Sequence, residues 1–199
     1  MTYADLARPR AATTGTATAL AFDAGLVVAG SLVVALGAQV AVPLPFTPVP
    51  LTMQPFAVLL VGALLGSRRG ALALLAYLAE GAAGLPVLAG GAAGIARILG
   101  PTGGYLLGFV PAAFVTGFLA ERGWDRRFLT TWAAMALGSA CFFAVGLTWL
   151  AGFTGPSRVL ELGLYPFVIG DVLKQILAAL VLPGAWRLAN RAGWTRGSL

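Results

Sequence analysis

From residue 24 to residue 67 the chain carries no charged side chain, and this run limits what it can fold into. About 20 apolar residues suffice to cross a bilayer, so the run is too long for one crossing and about right for two with a break between them. Residues 42–52 supply the break, reading VPLPFTPVPLT. Prolines this dense remove backbone donors and fix φ, so no helix continues through them. One span is therefore expected over about 26–42 and a second over about 53–66.

Composition agrees with burial in lipid. Hydrophobic residues make up 59% of the chain, charged residues only 10%, and the mean hydropathy is +0.88, whereas a soluble domain carries about 25% charged residues. The 199 residues leave room for about six spans of roughly 20 residues and for little else. The expected fold is all-α, a single membrane domain over 1–199. A tail at 1–22 leads into a bundle at 23–190 and a second tail at 191–199. The first apolar run reads as a retained helix rather than a cleaved signal, because it passes directly into another span.

The remaining spans follow from the polar punctuation. Residues 67–70 read as a basic turn, followed by a short third span over about 71–79 that ends near Glu80. Residues 84–104 are rich in Gly and Pro and predict a long loop or re-entrant segment. A fourth span is expected over about 105–120, and the polar cluster at 121–127 closes it. A fifth is expected over about 129–151, and Pro166 opens a sixth, since proline suits a first helical turn.

With the N-terminus in the cytoplasm, the inner segments hold Arg8, Arg10, Arg68, Arg69, Arg122, Arg126, Arg127, Arg187, Arg191 and Arg196, leaving only Arg97, Arg158 and Lys174 of the 13 basic residues. Cytoplasmic loops retain Lys and Arg, so this bias predicts an even number of spans with both termini cytoplasmic. It also argues that the net charge of +6 is a topology signal rather than a nucleic-acid footprint. The Pro-rich loop, the Gly-rich loop and the connection before span six then all emerge on the outer face, where a ligand site is expected. One cysteine, Cys141, and no histidine exclude a disulfide framework and a thiolate metal site, and remove the commonest general base. Neither a metal nor a cofactor is expected.

Asp171 and Lys174 are the strongest candidates for function. At i, i+3 in an otherwise apolar span they share a helix face. Ionised groups at such depth are costly unless paired or facing a wet cavity, which marks them as functional; a structural ion pair to a neighbouring helix is the alternative. Gln54 can serve a ligand amide or ureide, or equally an interhelical hydrogen bond. Arg97, alone in the Gly-rich loop, can hold a carboxylate or pair with Glu80, and Glu80 itself reads as an interfacial group in contact with water. Gly104 belongs to GPTGGY at 100–105, where consecutive glycines permit close backbone approach and Tyr105 offers a flat face with a hydroxyl tip. Ser31 and Ala35 form a smooth strip on span one for close helix packing within the chain.

Four blocks carry a resemblance: PLPFTPVPLTMQ at 43–54, GLPVLAGGAAG at 84–94, LGPTGGYLLGF at 99–109 and YPFVIGDVLK at 165–174. In this order they resemble the BioY family, the biotin-capturing substrate-binding components of energy-coupling factor transporters. The resemblance implies a six-helix membrane protein of the prokaryotic cell membrane that is not an enzyme and holds biotin near the outer face, under the first loop. It implies work with a transmembrane coupling protein and two cytoplasmic ATPases, or as a homodimer if the chain acts alone, with membrane lipid around it. Asp171 and Lys174 carry over as ligand residues, and the loop glycines Gly90, Gly91 and Gly94 as lining of the pocket. Asp171 can accept from the ureido N–H groups, and Lys174 or Arg97 can neutralise the carboxylate; which charge meets which end stays open. Tyr105, Phe46 and Val49 are expected to cover the ring system, with Thr47 beside them in the first loop. A rival from another class is a membrane-embedded transferase acting on a lipid or isoprenoid phosphate. It is weakened by scattered carboxylates and missing histidine.

Overall fold

The computed structural model describes residues 2–6 and 15–191; Arg8, Arg10, Arg196 and the tail at 192–199 lie outside the described residues. The elements are α1 (Tyr3–Leu6), α2 (Thr16–Gln39), β1 (Ala41–Val42), β2 (Leu51–Thr52), α3 (Gln54–Leu65), α4 (Ser67–Ala82), α5 (Ile95–Ile98), α6 (Gly103–Glu121), α7 (Phe128–Thr154), α8 (Val159–Gly163) and α9 (Tyr165–Arg191), with 3-10 turns at Ala89–Gly91 and Trp124–Arg126. Among the described residues, four stretches are long and apolar enough to cross a membrane: α2, α6, α7 and Val159–Leu188, which joins α8 to most of α9. Helix α3 is apolar but has only 12 residues, a rise of about 18 Å at 1.5 Å per residue.

Several boundaries differ from expectation for identifiable reasons. Helix α2 begins at Thr16, well before residue 26, and contains Asp23. That carboxylate lies 2.9 Å from Arg69 Nε, so the charge does not end the helix. Residues 67–70 are not a turn but the first turn of α4. Gly66 alone reverses the chain, with φ at 87°, a conformation that side chains with a Cβ rarely adopt. Glu121, at the end of α6, accepts from the Ser67 N–H at 2.7 Å and from its Oγ at 2.9 Å, satisfying a free donor at the start of α4 with a negative charge.

The Pro-rich loop is not wholly irregular. β1 pairs antiparallel with β2, Ala41 opposite Thr52 and Val42 opposite Leu51, outside the proline positions that cannot donate. The Gly-rich stretch at 84–104 contains a 3-10 turn and α5 before α6 begins at Gly103. Gly104 is a packing glycine: a Cβ there would lie 2.2 Å from Trp149 Cβ, so its absence lets α6 and α7 run in close contact. On α2 the expected small-residue strip, Ser31 and Ala35 with Gly30 and Ala38, is buried, as is Val34 beside it; a Cβ on Gly30 would meet Ala73 of α4 at 2.8 Å. The opposite face presents Leu32 and Leu36.

Several polar contacts gather at the two ends of the bundle, while Gln175 Nε2 donates to Ser139 Oγ at 2.9 Å between them. At one end Arg69 pairs with Asp5 at 2.9 Å, and Tyr3 lies against Trp186 with ring centroids 4.6 Å apart and donates to the Leu182 carbonyl at 2.6 Å. There, too, Trp186 Nε1 donates to buried Asp125. At the other end Thr47 Oγ1 donates to the Leu162 carbonyl at 2.7 Å, Trp149 Nε1 to Gly100 at 2.9 Å, and the Gly94 N–H to Gly81 at 2.7 Å. The three irregular connections therefore meet at one end.

Candidate ligand-binding site

At that end lies a cavity of about 640 Å³ of empty space, its open mouth included. The hairpin supplies residues 49–52 and α3 supplies Gln54 and Pro55. Tyr105, Leu106 and Phe109 come from α6, Phe142 and Phe143 from α7, and Phe167, Asp171 and Lys174 from α9; Leu88, Ala89, Arg97 and Thr102 close the wall from the loop side. The walls are thus largely aromatic and aliphatic, with a few polar groups set among them. Phe143 stands edge-on to Tyr105 at 6.3 Å between ring centroids and lies 4.6 Å from Phe142.

Asp171 and Lys174 reach this cavity because α9 presents positions three apart on the same face. Lys174 Nζ lies 3.2 Å from Asp171 Oδ1 and donates to the Thr52 carbonyl at 2.8 Å; the two side chains are 14% and 5% exposed. An ammonium has three donors, and these partners use two. Asp171 Oδ2 is buried and has no partner among the described residues. A buried acceptor left unmade costs about 1–3 kcal/mol, more when it is charged. The pair is thus only half satisfied by the fold and leaves one acceptor and one donor beside an apolar cavity.

The other expected residues divide. Gln54, Tyr105 and Arg97 line the cavity. Gln54 Nε2 donates to Tyr77 Oη at 2.7 Å, so the interhelical hydrogen bond and the cavity position hold together. Tyr105 donates to the Gly163 carbonyl at 2.8 Å, which engages its hydroxyl in anchoring α8 and leaves the ring for the cavity. Arg97 is exposed at the mouth. Glu80 is not its partner and is not an interfacial group facing water: Oε1 accepts from Ser31 at 2.9 Å and Oε2 is buried, because the side chain turns toward α2.

Phe46, Thr47, Gly90, Gly91, Gly94 and Gly104 do not line the cavity. Phe46 is 57% exposed, and Thr47 is spent on bridging to α8. Gly90, Gly91 and Gly94 have φ of 65°, 76° and 90°, so they shape the loop that delivers Leu88, Ala89 and Arg97, while Gly104 packs on Trp149. Sequence reasoning missed the lining residues Leu88, Phe109, Phe142, Phe143 and Phe167, and Tyr77, which stands behind Gln54. The paired phenylalanines at 142–143 and the lone tyrosine of the third span were the available signals.

A cavity with aromatic walls, sunk into one end of an apolar helical bundle and holding a half-satisfied ion pair, defines the class: a multi-pass membrane protein that encloses a small ligand with polar groups. The match of the BioY family model to residues 11–191 gives the particular family. The chain belongs to the BioY family. It is 42% identical over 165 residues to the "Biotin transporter BioY" of Rhodobacter capsulatus, covering 76% of this chain and 85% of the relative. To the "Biotin transporter BioY" of Rhizobium etli it is 41% identical over 159 residues, again with 76% and 85% covered. Its fold is similar to a crystal structure of the S-component for biotin from an ECF-type ABC transporter, with a TM-score of 0.73 and 28% identity over 86% of this chain and 92% of that one. Family and fold are those of transport and substrate-binding proteins of prokaryotic membranes, not enzymes, which sets the transferase alternative aside.

Proposed function

We propose that this chain captures biotin in the cavity described and serves as the substrate-binding component of an ECF-type vitamin transporter. Six helices, α2, α3, α4, α6, α7 and α9, span the membrane, with both termini cytoplasmic and the cavity toward the outside. This direction puts Arg68, Arg69, Arg122, Arg126, Arg127 and Arg187 at the inner end, as the retention of positive charge favours. A transmembrane coupling protein and two cytoplasmic ATPases supply the energy, since the chain has no P-loop motif.

The observation that carries the reading is the unpartnered Asp171 Oδ2 beside Lys174 in an aromatic cavity. The ureido ring of biotin offers N–H donors beside a carbonyl acceptor, the complement of what the pair leaves open, and charge-assisted bonds of this kind are the stronger ones. The apolar bicycle lies against Tyr105, Phe143 and Phe167. The valerate runs to the mouth, where exposed Arg97 meets its carboxylate.

Uptake of labelled biotin into cells carrying the chain with its coupling module tests the assignment of the two ends. Arg97→Ala is expected to weaken biotin binding about tenfold, the loss of one charged contact of about 1.4 kcal/mol, and to leave biotin methyl ester unaffected. Equal loss for acid and ester contradicts the placement of the carboxylate.

A further inference from the structure

Tyr77 lies in the middle of α4, is fully buried, and is no part of the cavity wall. Its hydroxyl lies between two groups that differ in what they can do. On one side the Val87 carbonyl, 3.1 Å away, can only accept. On the other stands the Gln54 side-chain amide at 2.7 Å, which can present either its oxygen or its NH2. A hydroxyl has one proton to give. With that proton on Val87, only lone pairs face Gln54, and the amide must turn its NH2 toward Tyr77. The oxygen is then left as the end free for a ligand in the cavity that Gln54 lines, and it has no partner among the described residues.

We propose that Tyr77 is a positioning residue that sets the orientation of the Gln54 amide, so that the cavity offers two acceptors, Gln54 Oε1 and Asp171 Oδ2, to a ligand with two N–H donors. Without the hydroxyl the amide is free to turn over and present donors to donors. The same hydroxyl ties α3 to the loop at Val87, next to the lining residues Leu88 and Ala89. Orientation of the acceptor and closure of that wall are therefore set by one group, buried beyond the ligand's reach.

The inference rests on the reading of the cavity as the biotin site, and a double-mutant cycle separates the two. Full-length wild type, Tyr77→Phe, Gln54→Ala and the double variant are titrated with biotin, and their melting temperatures are recorded. Tyr77→Phe is expected to bind about tenfold more weakly. Gln54→Ala removes one of the two acceptors and is expected to weaken binding about tenfold as well. In that background Tyr77→Phe is expected to change affinity less than twofold, because no orientation remains to be set. A purely structural role for Tyr77 lowers affinity by the same factor in both backgrounds, and that result overturns the inference, as does unchanged binding by Tyr77→Phe or by Gln54→Ala. Failure of folded wild type to bind biotin removes the underlying reading instead.

Discussion

Asp171 and Lys174 pose the sharpest stability problem of this chain, a buried ion pair whose carboxylate keeps one oxygen without a partner among the described residues. Removing one member of a buried pair strands the other, at about 3–5 kcal/mol, so the two groups act as a unit rather than as separate contacts. The pair could be singled out in the sequence because charge in an apolar span is rare and a helix puts i and i+3 on one face. The same logic singled out Gln54 and Arg97, which also line the cavity. It did not find Tyr77 or the phenylalanines, because an aromatic residue in an apolar helix looks alike whether it faces lipid, core or cavity. Glu80 shows the opposite failure: a carboxylate near a helix end suggests water, yet Ser31 on another helix claims it, and only packing reveals that. At 125 a buried carboxylate has a clear consequence for pH. Burial pushes the Asp125 acid group up from 3.8 despite the Trp186 hydrogen bond. A raised acid favours folding most below its unfolded value, and that contribution is lost as the pH rises through the folded value. Asp125→Asn keeps an acceptor for Trp186 without the charge and is expected to melt higher than wild type at pH 7, with the difference closing as the pH falls from the raised folded value toward 3.8. Thermal melts of both proteins across pH give the comparison.

Among the elements, the breaks were easier to read than the boundaries. Four prolines in 42–52 and the glycines of 84–104 locate the two loops that build the cavity wall, since these residue types exclude continuous helix. Helix ends were misjudged wherever a charge had a partner on another element: Asp23 on Arg69, and the start of α4 on Glu121. The tight α3–α4 reversal depends on Gly66, where positive φ and the nearness of Glu121 coincide. Gly66→Ala places a Cβ 2.6 Å from Glu121 Oε1 at φ 87° and ψ 177°, an essentially glycine-only conformation that itself costs about 1–3 kcal/mol. It is expected to lower the melting temperature in detergent clearly. Gly152→Ala, in a helix where a Cβ meets nothing within 4 Å, is expected to leave it nearly unchanged, and equal effects from the two substitutions contradict the assignment of the turn.

For the whole molecule, the segregation of irregular connections to one end and of most arginines to the other makes a single object of topology and site. After replacement of Cys141, cysteines introduced by Thr47→Cys and Ala92→Cys are expected to react with a membrane-impermeant reagent from outside, and Arg68→Cys only after permeabilisation; the reverse pattern contradicts the orientation. The helical bundle could be anticipated from hydropathy, whereas the cavity could not, because it is bounded by residues from four helices and two loops that only folding brings together. The most direct test of the central claim is calorimetric titration of the purified protein with biotin, comparing wild type with Asp171→Asn and Lys174→Ala. Tight one-to-one binding by wild type, lost in both variants while they remain folded, is the predicted result. Absence of binding by folded wild type, or binding undiminished in either variant, contradicts the account.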